Sequence, residues 1–369
     1  MDKVYDKCCG IDVHKKLIVA CFRKGSKQEL RNFGATTREL LELANWLQNG
    51  GCEMVAMEST ASYWKPLYNI LESSELKAMV VNASHMKAVP GRKTDTKDAE
   101  WIAELLQHGL LKASYIPDKQ QRELRELVRY RKSLVSERTR ELNRLQKMLE
   151  GANIKLSGTV SDINCMSARN ILEYLLTGEF FDEAKYDEMY KQKIIAHNLK
   201  ASKEQLIDDL NGVMTPLQRR MMKELLSHLD ELNVHINNLE DEIDNFMKPE
   251  EKKATQAIQD VTGIGKNSSQ AIISVIGTDM SRFPTAGHLA AWAGLCPGNN
   301  ESAQKRKTGK MRKGNALLRS TLVVCAHSAT RNKNSYFYAQ FMRISSHRGK
   351  KRAYVAVAHS MLIAIYHIL

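Results

Sequence analysis

The segment CCGIDVHKKLIVACFR, residues 8 to 23, decides the fold because it has the pattern of two short β-strands that follow each other closely. Two runs with β-branched residues are separated by the polar triplet His14, Lys15 and Lys16, which is typical of a β-hairpin. Asp12 lies inside the first run, where a charge among apolar neighbours is costly unless the carboxylate is used. The hairpin therefore predicts both the start of a sheet and a candidate functional carboxylate.

The residues that follow extend this hairpin into an α/β domain. KQELRNF predicts a third strand, and TTRELLELANWLQNGG predicts a helix with a threonine cap and a glycine stop. CEMVAMEST, SYWKPLYNILESS and LKAMVVNA then predict a strand, a helix and a strand. The order β-β-β-α-β-α-β matches the RNase H (RuvC-like) fold, a mixed five-stranded sheet with flanking helices. A fold of this kind hosts many functions, so it proves no activity by itself.

Further carboxylates follow the strands. Glu58 ends the fourth strand, and Asp95 and Asp98 lie three residues apart at the start of a helix that stops at Gly109. Together with Asp12 they form a set of oxygen ligands that suits paired Mg²⁺ or Mn²⁺ ions. Simpler roles remain open: a helix cap for Asp95, a dipole contact for Asp98, a turn-facing position for Asp12 and a solvated position for Glu58.

Residues 117–250 predict a helical region with two long amphipathic arms. Apolar residues recur at three-and-four spacing after Pro117, and the pattern returns in TPLQRRMMKELLSHLDELNVHINNLEDEIDNFM. The arms are expected to pack against each other or against another subunit. The first arm carries basic residues that are either solvated or bind nucleic acid: Arg122, Arg125, Arg129, Arg138, Arg140 and Arg144.

The last predicted domain, residues 251–369, is mostly helical and begins with a glycine-containing motif. TGIGKNSSQAI resembles the hairpin of a helix-hairpin-helix element, in which Gly263 and Gly265 permit a tight turn. Backbone N–H groups at the following helix start, aided by Lys266, are suited to a phosphate oxygen. The alternative is a simple helix–helix turn. The first predicted domain accordingly spans residues 1–116.

The charge of the chain is concentrated near its C-terminus. The net charge is +13, and residues 300–369 hold fourteen Lys and Arg against the single acid Glu301. Such an excess favours a polyanionic partner. In PGNNESAQKRKTGKMRKGN, Ser302 precedes Lys305, Arg306, Lys307, Lys310, Arg312 and Lys313. This stretch is either a solvated basic loop or part of a phosphate-handling site.

Seven scattered cysteines without a metal-binding spacing predict a reduced protein with no structural metal. Neither a signal peptide nor an apolar run long enough to cross a membrane is evident, so a cytoplasmic location is expected.

The ordered motifs GIDVHK, MEST, KTDTKDAEWIAELL, TGIG and LAAWAGLCPGNNESAQKRKTGKMRKGNALLR resemble the insertion-sequence transposases of the "one-ten" family. These are recombinases guided by a bridge RNA, with a DEDD tetrad and a C-terminal serine. The resemblance implies that the tetrad falls on Asp12, Glu58, Asp95 and Asp98, which would hold Mg²⁺, and that Ser302 is the nucleophile. It also implies double-stranded DNA, a structured guide RNA and a homodimer or homotetramer.

One departure from the family pattern is visible after the serine. The family usually has a glycine within two residues, whereas this chain continues with Ala303 and Gln304. Two alternative functions stay open: a metal-dependent RuvC-like junction endonuclease without serine chemistry, and a non-enzymatic nucleic-acid-binding protein.

Overall fold

A computed structural model describes residues 3–59, 61–82, 96–160, 162–195, 201–297, 300–302, 305–308, 311 and 314–369. The chain divides into two compact units, Met1–Pro117 and Asp118–Leu369. The second unit contains both the predicted helical region and the predicted C-terminal domain, and the division into three domains stays a prediction. No helix in the described part of the chain is long and apolar enough to cross a membrane.

The first unit is built on a five-stranded mixed sheet, as predicted. Its strands are β1 (Lys7–Val13), β2 (Leu17–Lys24), β3 (Lys27–Gly34), β4 (Met54–Glu58) and β5 (Ala78–Val81). Their spatial order is β3-β2-β1-β4-β5. The first three strands pair antiparallel, whereas β4 runs parallel to β1 and β5 runs parallel to β4. This order and these directions are those of an RNase H-like sheet.

Helices cover both faces of this sheet. Helices α1 (Thr37–Asn49) and α2 (Trp64–Ser73) bury leucines against one face, and α3 (Thr96–Gln107) covers the other. The predicted caps of α1 are present, because the Thr36 side chain accepts a hydrogen bond from the Glu39 backbone N–H and Gly50 follows the helix. Burial on both faces explains why β1 and β2 are almost continuously apolar.

The second unit is mostly helical. Its elements are α4 (Lys119–Gly151), α5 (Leu156–Thr159), α6 (Met166–Leu175), α7 (Glu183–Lys191), α8 (Lys203–Leu210), α9 (Pro216–Phe246), α10 (Pro249–Gln259), α11 (Lys266–Ile276), a 3₁₀ turn (Met280–Arg282), α12 (Ala286–Trp292), β6 (Asn300–Ser302), β7 (Lys305–Thr308), α13 (Ala316–Ala329), α14 (Tyr336–Arg348) and α15 (Lys350–Ile368). The polar stretch predicted as a loop thus contains two short strands.

The two long arms, α4 and α9, pack antiparallel against each other within one chain. The Gln120 amide donates to the Phe246 carbonyl at one end, and Arg138 donates to the Asn233 side chain, 3.0 Å away, farther along. Apolar residues fill the seam between them: Leu134, Leu232, Ile236 and Leu239. The shorter helices α5 to α8 close one end of this pair around their own apolar cluster. The remaining helices form a larger cluster with the other end.

Candidate functional site

Two of the predicted carboxylates lie side by side at one edge of the sheet. The parallel register of β1 and β4 pairs Gly10 with Ala56 and Ile11 with Met57, so the next residues on the two strands are Asp12 and Glu58. Residues at paired positions of neighbouring strands point to the same face. Asp12 and Glu58 therefore share the face that α3 covers, at the carboxyl ends of both strands.

The first turn of helix α3, which carries Asp98, lies toward the same edge. The last residue of α3, Gln107, accepts a hydrogen bond from the backbone N–H of Val4 at 2.8 Å, so the helix ends near the start of β1. The helix thus runs antiparallel to β1, and its first turn, with Asp98, lies toward the end of β1 where Asp12 is. Asp95 precedes this helix in the sequence and lies outside the described residues.

A glycine allows α3 to come this close to the sheet. A Cβ atom on Gly10 would lie 2.2 Å from the Ala103 backbone nitrogen and 2.4 Å from the Ala99 carbonyl oxygen. Both distances are far below a normal contact, and both involve backbone atoms that no rotamer change can move. The approach of α3, and hence the position of Asp98, depends on the missing side chain at Gly10.

Asp12 is buried and engaged by a neighbouring histidine. Only 5% of Asp12 is exposed, and its Oδ2 lies 2.9 Å from His14 Nε2. The backbone N–H of His14 donates to the Leu17 carbonyl in the β1–β2 connection, which fixes the base of the imidazole side chain. His14 was not among the predicted site residues, although its place two residues after Asp12 in the predicted turn was a usable signal.

The donor set at this edge is compatible with Mg²⁺ in its chemistry, because hard divalent cations prefer carboxylate oxygens. Asp12 and Glu58 would supply ligands from adjacent strands and Asp98 from the facing helix, with Asp95 next to it in sequence. In the portion of the chain that is described, no group of three or more His, Cys, Asp or Glu side chains lies close enough to hold a metal ion. The metal site therefore stays a prediction.

The predicted nucleophile lies on a short β-ribbon in the second unit. Strands β6 and β7 pair antiparallel, with Glu301 opposite Arg306 and Ser302 opposite Lys305. Ser302 is the last residue of β6, and two residues, 303 and 304, separate it from β7. Lys307 also lies in β7, whereas Lys310, Arg312 and Lys313 lie outside the described residues.

The base of this ribbon is anchored in the helical core. An isolated bridge pairs Pro297 with Met311, and Leu295 just before it is buried. A Cβ atom on Gly314 would lie 2.4 Å from backbone atoms of Ala293 and Gly294 at the end of α12. The chain therefore leaves and re-enters the core at nearly the same point. The sequence gives this segment no apolar alternation, which is why it was predicted as a loop.

The helix-hairpin-helix-like turn joins α10 to α11 and is held by contacts within the unit. Gly263 has a positive φ of 92°, and a Cβ there would lie 2.6 Å from the Cys325 carbonyl and the Ala329 nitrogen of α13. Gly265 is the N-cap of α11 and has open space around it. Lys266 forms an ion pair with Asp244 of α9. A phosphate at this turn would have to compete with that carboxylate.

The arginine-rich face of α4 also makes contacts within the unit. Arg125 donates to the Ser274 carbonyl at 2.8 Å and to the Val275 carbonyl. Its guanidinium thus caps the C-terminal end of α11. Arg138 contacts Asn233, and Arg144 pairs with Glu141. Arg129 and Arg140 are exposed, and Arg122 is half-buried. The face therefore holds neighbouring helices in part, which leaves its predicted nucleic-acid contacts untested.

Arg131, which was not predicted as important, is the centre of a buried polar network. Only 4% of it is exposed, and its guanidinium donates to the Gln270 side chain at 2.6 Å and to the Asn267 carbonyl at 3.1 Å. Burial lowers the pKa of Arg131, while Glu240 and Asp244 act in the opposite direction. Its position in the apolar stripe of α4, after Val128, was the sequence signal that it faces inward.

The first unit is a domain of the RNase H-like class, and the sequence comparisons identify the kind of protein that carries it. A family model described as "Transposase" matches residues 9–154, and a second, described as "Transposase IS116/IS110/IS902 family", matches residues 255–341. The chain belongs to the IS116/IS110/IS902 family of transposases. It is therefore a DNA transposase, which sets aside a non-enzymatic binding protein.

Curated relatives agree with this assignment. The transposase for insertion sequence element IS1111A of Coxiella burnetii is 23% identical over 86% of this chain and 78% of its own length. A probable family 20 transposase of Pseudomonas aeruginosa is 23% identical over 87% of this chain and 80% of its own length.

Among solved structures, a chain of T. thermophilus RuvC in complex with a Holliday junction substrate is 11% identical and aligns with 30% of this chain and 100% of its own, with a TM-score of 0.23.

Proposed function

We propose that this transposase cleaves and exchanges DNA strands through a phosphoserine intermediate on Ser302, assisted by Mg²⁺ or Mn²⁺ at Asp12, Glu58, Asp95 and Asp98. The observation that carries the proposal is the adjacent placement of Asp12 and Glu58 at the sheet edge toward which the first turn of α3 lies. Carboxylates placed this way are suited to hold the cations that neutralise charge during phosphodiester cleavage.

The serine step is a transesterification. The Ser302 hydroxyl loses its proton, its oxygen bonds to phosphorus, and the bond from phosphorus to one sugar oxygen breaks as that oxygen takes up a proton. Attack by a sugar hydroxyl of another strand reverses the step and restores the serine. Since one phosphate ester replaces another, the exchange needs no nucleotide hydrolysis.

Charge on the transferring phosphate is expected to be balanced by the basic residues near Ser302. Lys305 is opposite Ser302 in the ribbon and Arg306 is opposite Glu301. Cations fixed near developing negative charge lower the barrier because they need no reorganisation during the reaction. A bound metal would supply further charge stabilisation and activate an oxygen nucleophile.

Target choice is proposed to come from a structured guide RNA, in a homodimer or homotetramer. Family membership supports this part of the proposal, and the net charge of +13 is compatible with a second polyanion beside DNA. Purification of the protein with its bound nucleic acid, followed by sequencing, tests it. Recovery of random cellular RNA with no shared structured segment would contradict RNA guidance.

The serine assignment is tested with Ser302→Ala. We expect this variant to form no covalent protein–DNA adduct on denaturing gels and to yield no recombinant product, while binding to DNA persists. Ser320→Ala is the matched control, because Ser320 is an exposed serine of the same unit, on α13. Adducts that survive Ser302→Ala would exclude this nucleophile.

The metal assignment has a separate test. Asp12→Asn combined with Glu58→Gln is expected to abolish cleavage and to weaken Mn²⁺ binding measured by calorimetry in the absence of DNA. If Ser302→Ala cuts DNA normally and only the carboxylate variant is inactive, the protein is instead a RuvC-like metal-dependent nuclease. Free DNA ends without adducts would be its product.

A further inference from the structure

The corner between α14 and α15 carries a dense group of cations outside the predicted site. We define the basic corner as Arg343, His347, Arg348, Lys350, Lys351 and Arg352. Helix α14 ends at Arg348 and α15 begins at Lys350, with Gly349 between them at a φ of 79°. All six side chains are exposed. The corner therefore presents its charge directly to solvent.

The sequence around the basic corner offers these charges no acidic partner. The sequence from Ser302 to Leu369 contains no Asp or Glu. No ion pair found among the described residues includes a side chain of the basic corner. Since like charges this close repel each other, the group is unfavourable to the isolated protein.

The position of three of the cations adds to that cost. His347 and Arg348 lie in the last turn of α14, where a positive charge is favourable to the helix dipole. Lys350, Lys351 and Arg352 instead fill the first turn of α15, where positive charge opposes the dipole. No side chain caps this helix start. Helix stability therefore does not explain these three residues.

We propose that the basic corner is a docking surface for the phosphate backbone of double-stranded DNA. Five Lys and Arg side chains, together with His347, lie within a short distance at the junction of two helices, because each helical residue advances only about 1.5 Å. Duplex DNA carries one negative charge for every ~1.7 Å of its axis, so a contact of this size faces several phosphates. Because contacts to phosphates do not depend on the base sequence, the corner binds duplexes of any sequence.

We propose duplex DNA as the partner because the chain is a DNA transposase and its positive excess is confined to residues 300–369. Outside residues 300–369 the acids and bases are equal in number, 41 of each, so the attraction for a polyanion arises in this segment. The inference goes beyond the proposed function. It needs neither Ser302, nor a bound metal, nor a guide RNA, and it stands if the serine chemistry is wrong.

The test replaces four cations of the corner with glutamine, as Arg348→Gln, Lys350→Gln, Lys351→Gln and Arg352→Gln together. Glutamine keeps helix propensity, and loss of positive charge at the start of α15 should stabilise that helix. Binding to a short duplex is measured by fluorescence anisotropy between 50 and 200 mM salt. If four phosphate contacts are lost, the slope of log K for DNA binding against log salt concentration falls in magnitude by up to ~3.6. Between 50 and 200 mM salt, the variant then loses roughly a hundredfold less affinity than the wild type does.

The control variant loses the same amount of positive charge elsewhere. It replaces with glutamine four residues that are exposed on α9 and α10: Arg220, Lys223, Lys252 and Lys253. We expect this variant to keep a salt slope near that of the wild type. An unchanged slope in the corner variant, or an equal fall in both variants, overturns the proposal. Weaker binding of a structured RNA with duplex binding unchanged also overturns it.

Thermal unfolding separates docking from folding. The corner variant is expected to have a Tm equal to or above that of the wild type. If the quadruple variant does not fold, Lys350→Gln with Lys351→Gln is measured instead, with an expected slope change of up to ~1.8. A folded double variant with the wild-type slope would refute the docking surface.

Discussion

Gly10 in β1 allows α3 to pack close to the sheet, and this packing determines the position of Asp98, a predicted catalytic carboxylate. Gly10→Ala tests this dependence. The added Cβ would lie 2.2 Å from the Ala103 nitrogen and needs about 3.4 Å for a normal contact. Helix α3 must therefore move by about 1.2 Å, or the strand must bend by as much. Overpacking of this kind costs about 1–3 kcal/mol, which lowers the Tm of a small unit by several degrees.

The same displacement carries Asp98 away from Asp12 and Glu58. A misplacement near 1 Å can reduce the rate of a positioned reaction by ~100-fold. We therefore expect DNA cleavage by Gly10→Ala to fall far more than its folded fraction, when both are measured at a temperature where most of the protein is folded. Circular dichroism gives the folded fraction, and a gel assay of strand cleavage gives the rate.

Gly25→Ala is the matched control for this prediction. Gly25 has a φ of 61°, so alanine there is strained, but no atom lies within 4 Å of the new Cβ. The strain costs about 1–2 kcal/mol without pushing on α3. The variant should lose stability and keep the cleavage rate of its folded fraction. A full cleavage rate in Gly10→Ala, or an equal loss in both variants, would refute the role given to the α3 approach.

Two further predictions concern buried groups. Arg131→Met should cost about 1–3 kcal/mol in the free energy of unfolding, because it leaves the Gln270 and Asn267 acceptors without their buried donor. Chemical denaturation measures it, and a cost as small as that of Arg138→Met would contradict the network. Burial raises the pKa of Cys8 and Cys21 to about 11 and that of Cys52 to about 12, from an ordinary 9.0. These three thiols should therefore resist alkylation at pH 8 in the native protein, and the stability that their neutral forms provide below pH 9 should be lost as the pH rises toward 12. Rapid alkylation of Cys8, Cys21 or Cys52 in the native protein, located by peptide mass spectrometry, would disprove this.

Much of the first unit follows from the sequence because its signals are local. Alternating and β-branched runs predicted all five strands, and Thr36 and Gly50 bound α1 where the sequence placed the cap and the stop. The strand order is also expected once the β-β-β-α-β-α-β pattern is recognised. Asp12 was a candidate because a charge inside an apolar strand has a physical cost.

Other features depend on which residues face each other after folding. Arg125 and Arg131 belong to the same basic pattern on α4 as the exposed Arg129, yet they bind α11. Periodicity alone does not say which basic residues point to a neighbouring helix. The β6–β7 ribbon was missed for a different reason. Its strands are held by backbone pairing between polar residues, which leaves no hydrophobic pattern to detect.

Glycines position the predicted functional groups in both units. Gly10 admits α3 to the sheet in the first unit, Gly314 closes the base of the ribbon against α12, and Gly263 admits α13, the helix that follows the ribbon. In each case the close contact is made by backbone atoms, which cannot change rotamer to relieve a clash. Side chains can adapt by rotation, whereas these contacts shift only when a whole helix shifts. The placement of Asp98, and of the ribbon that carries Ser302, is therefore fixed by helix packing. We conclude that small substitutions at these glycines should perturb the predicted chemistry more than the loss of a single surface cation.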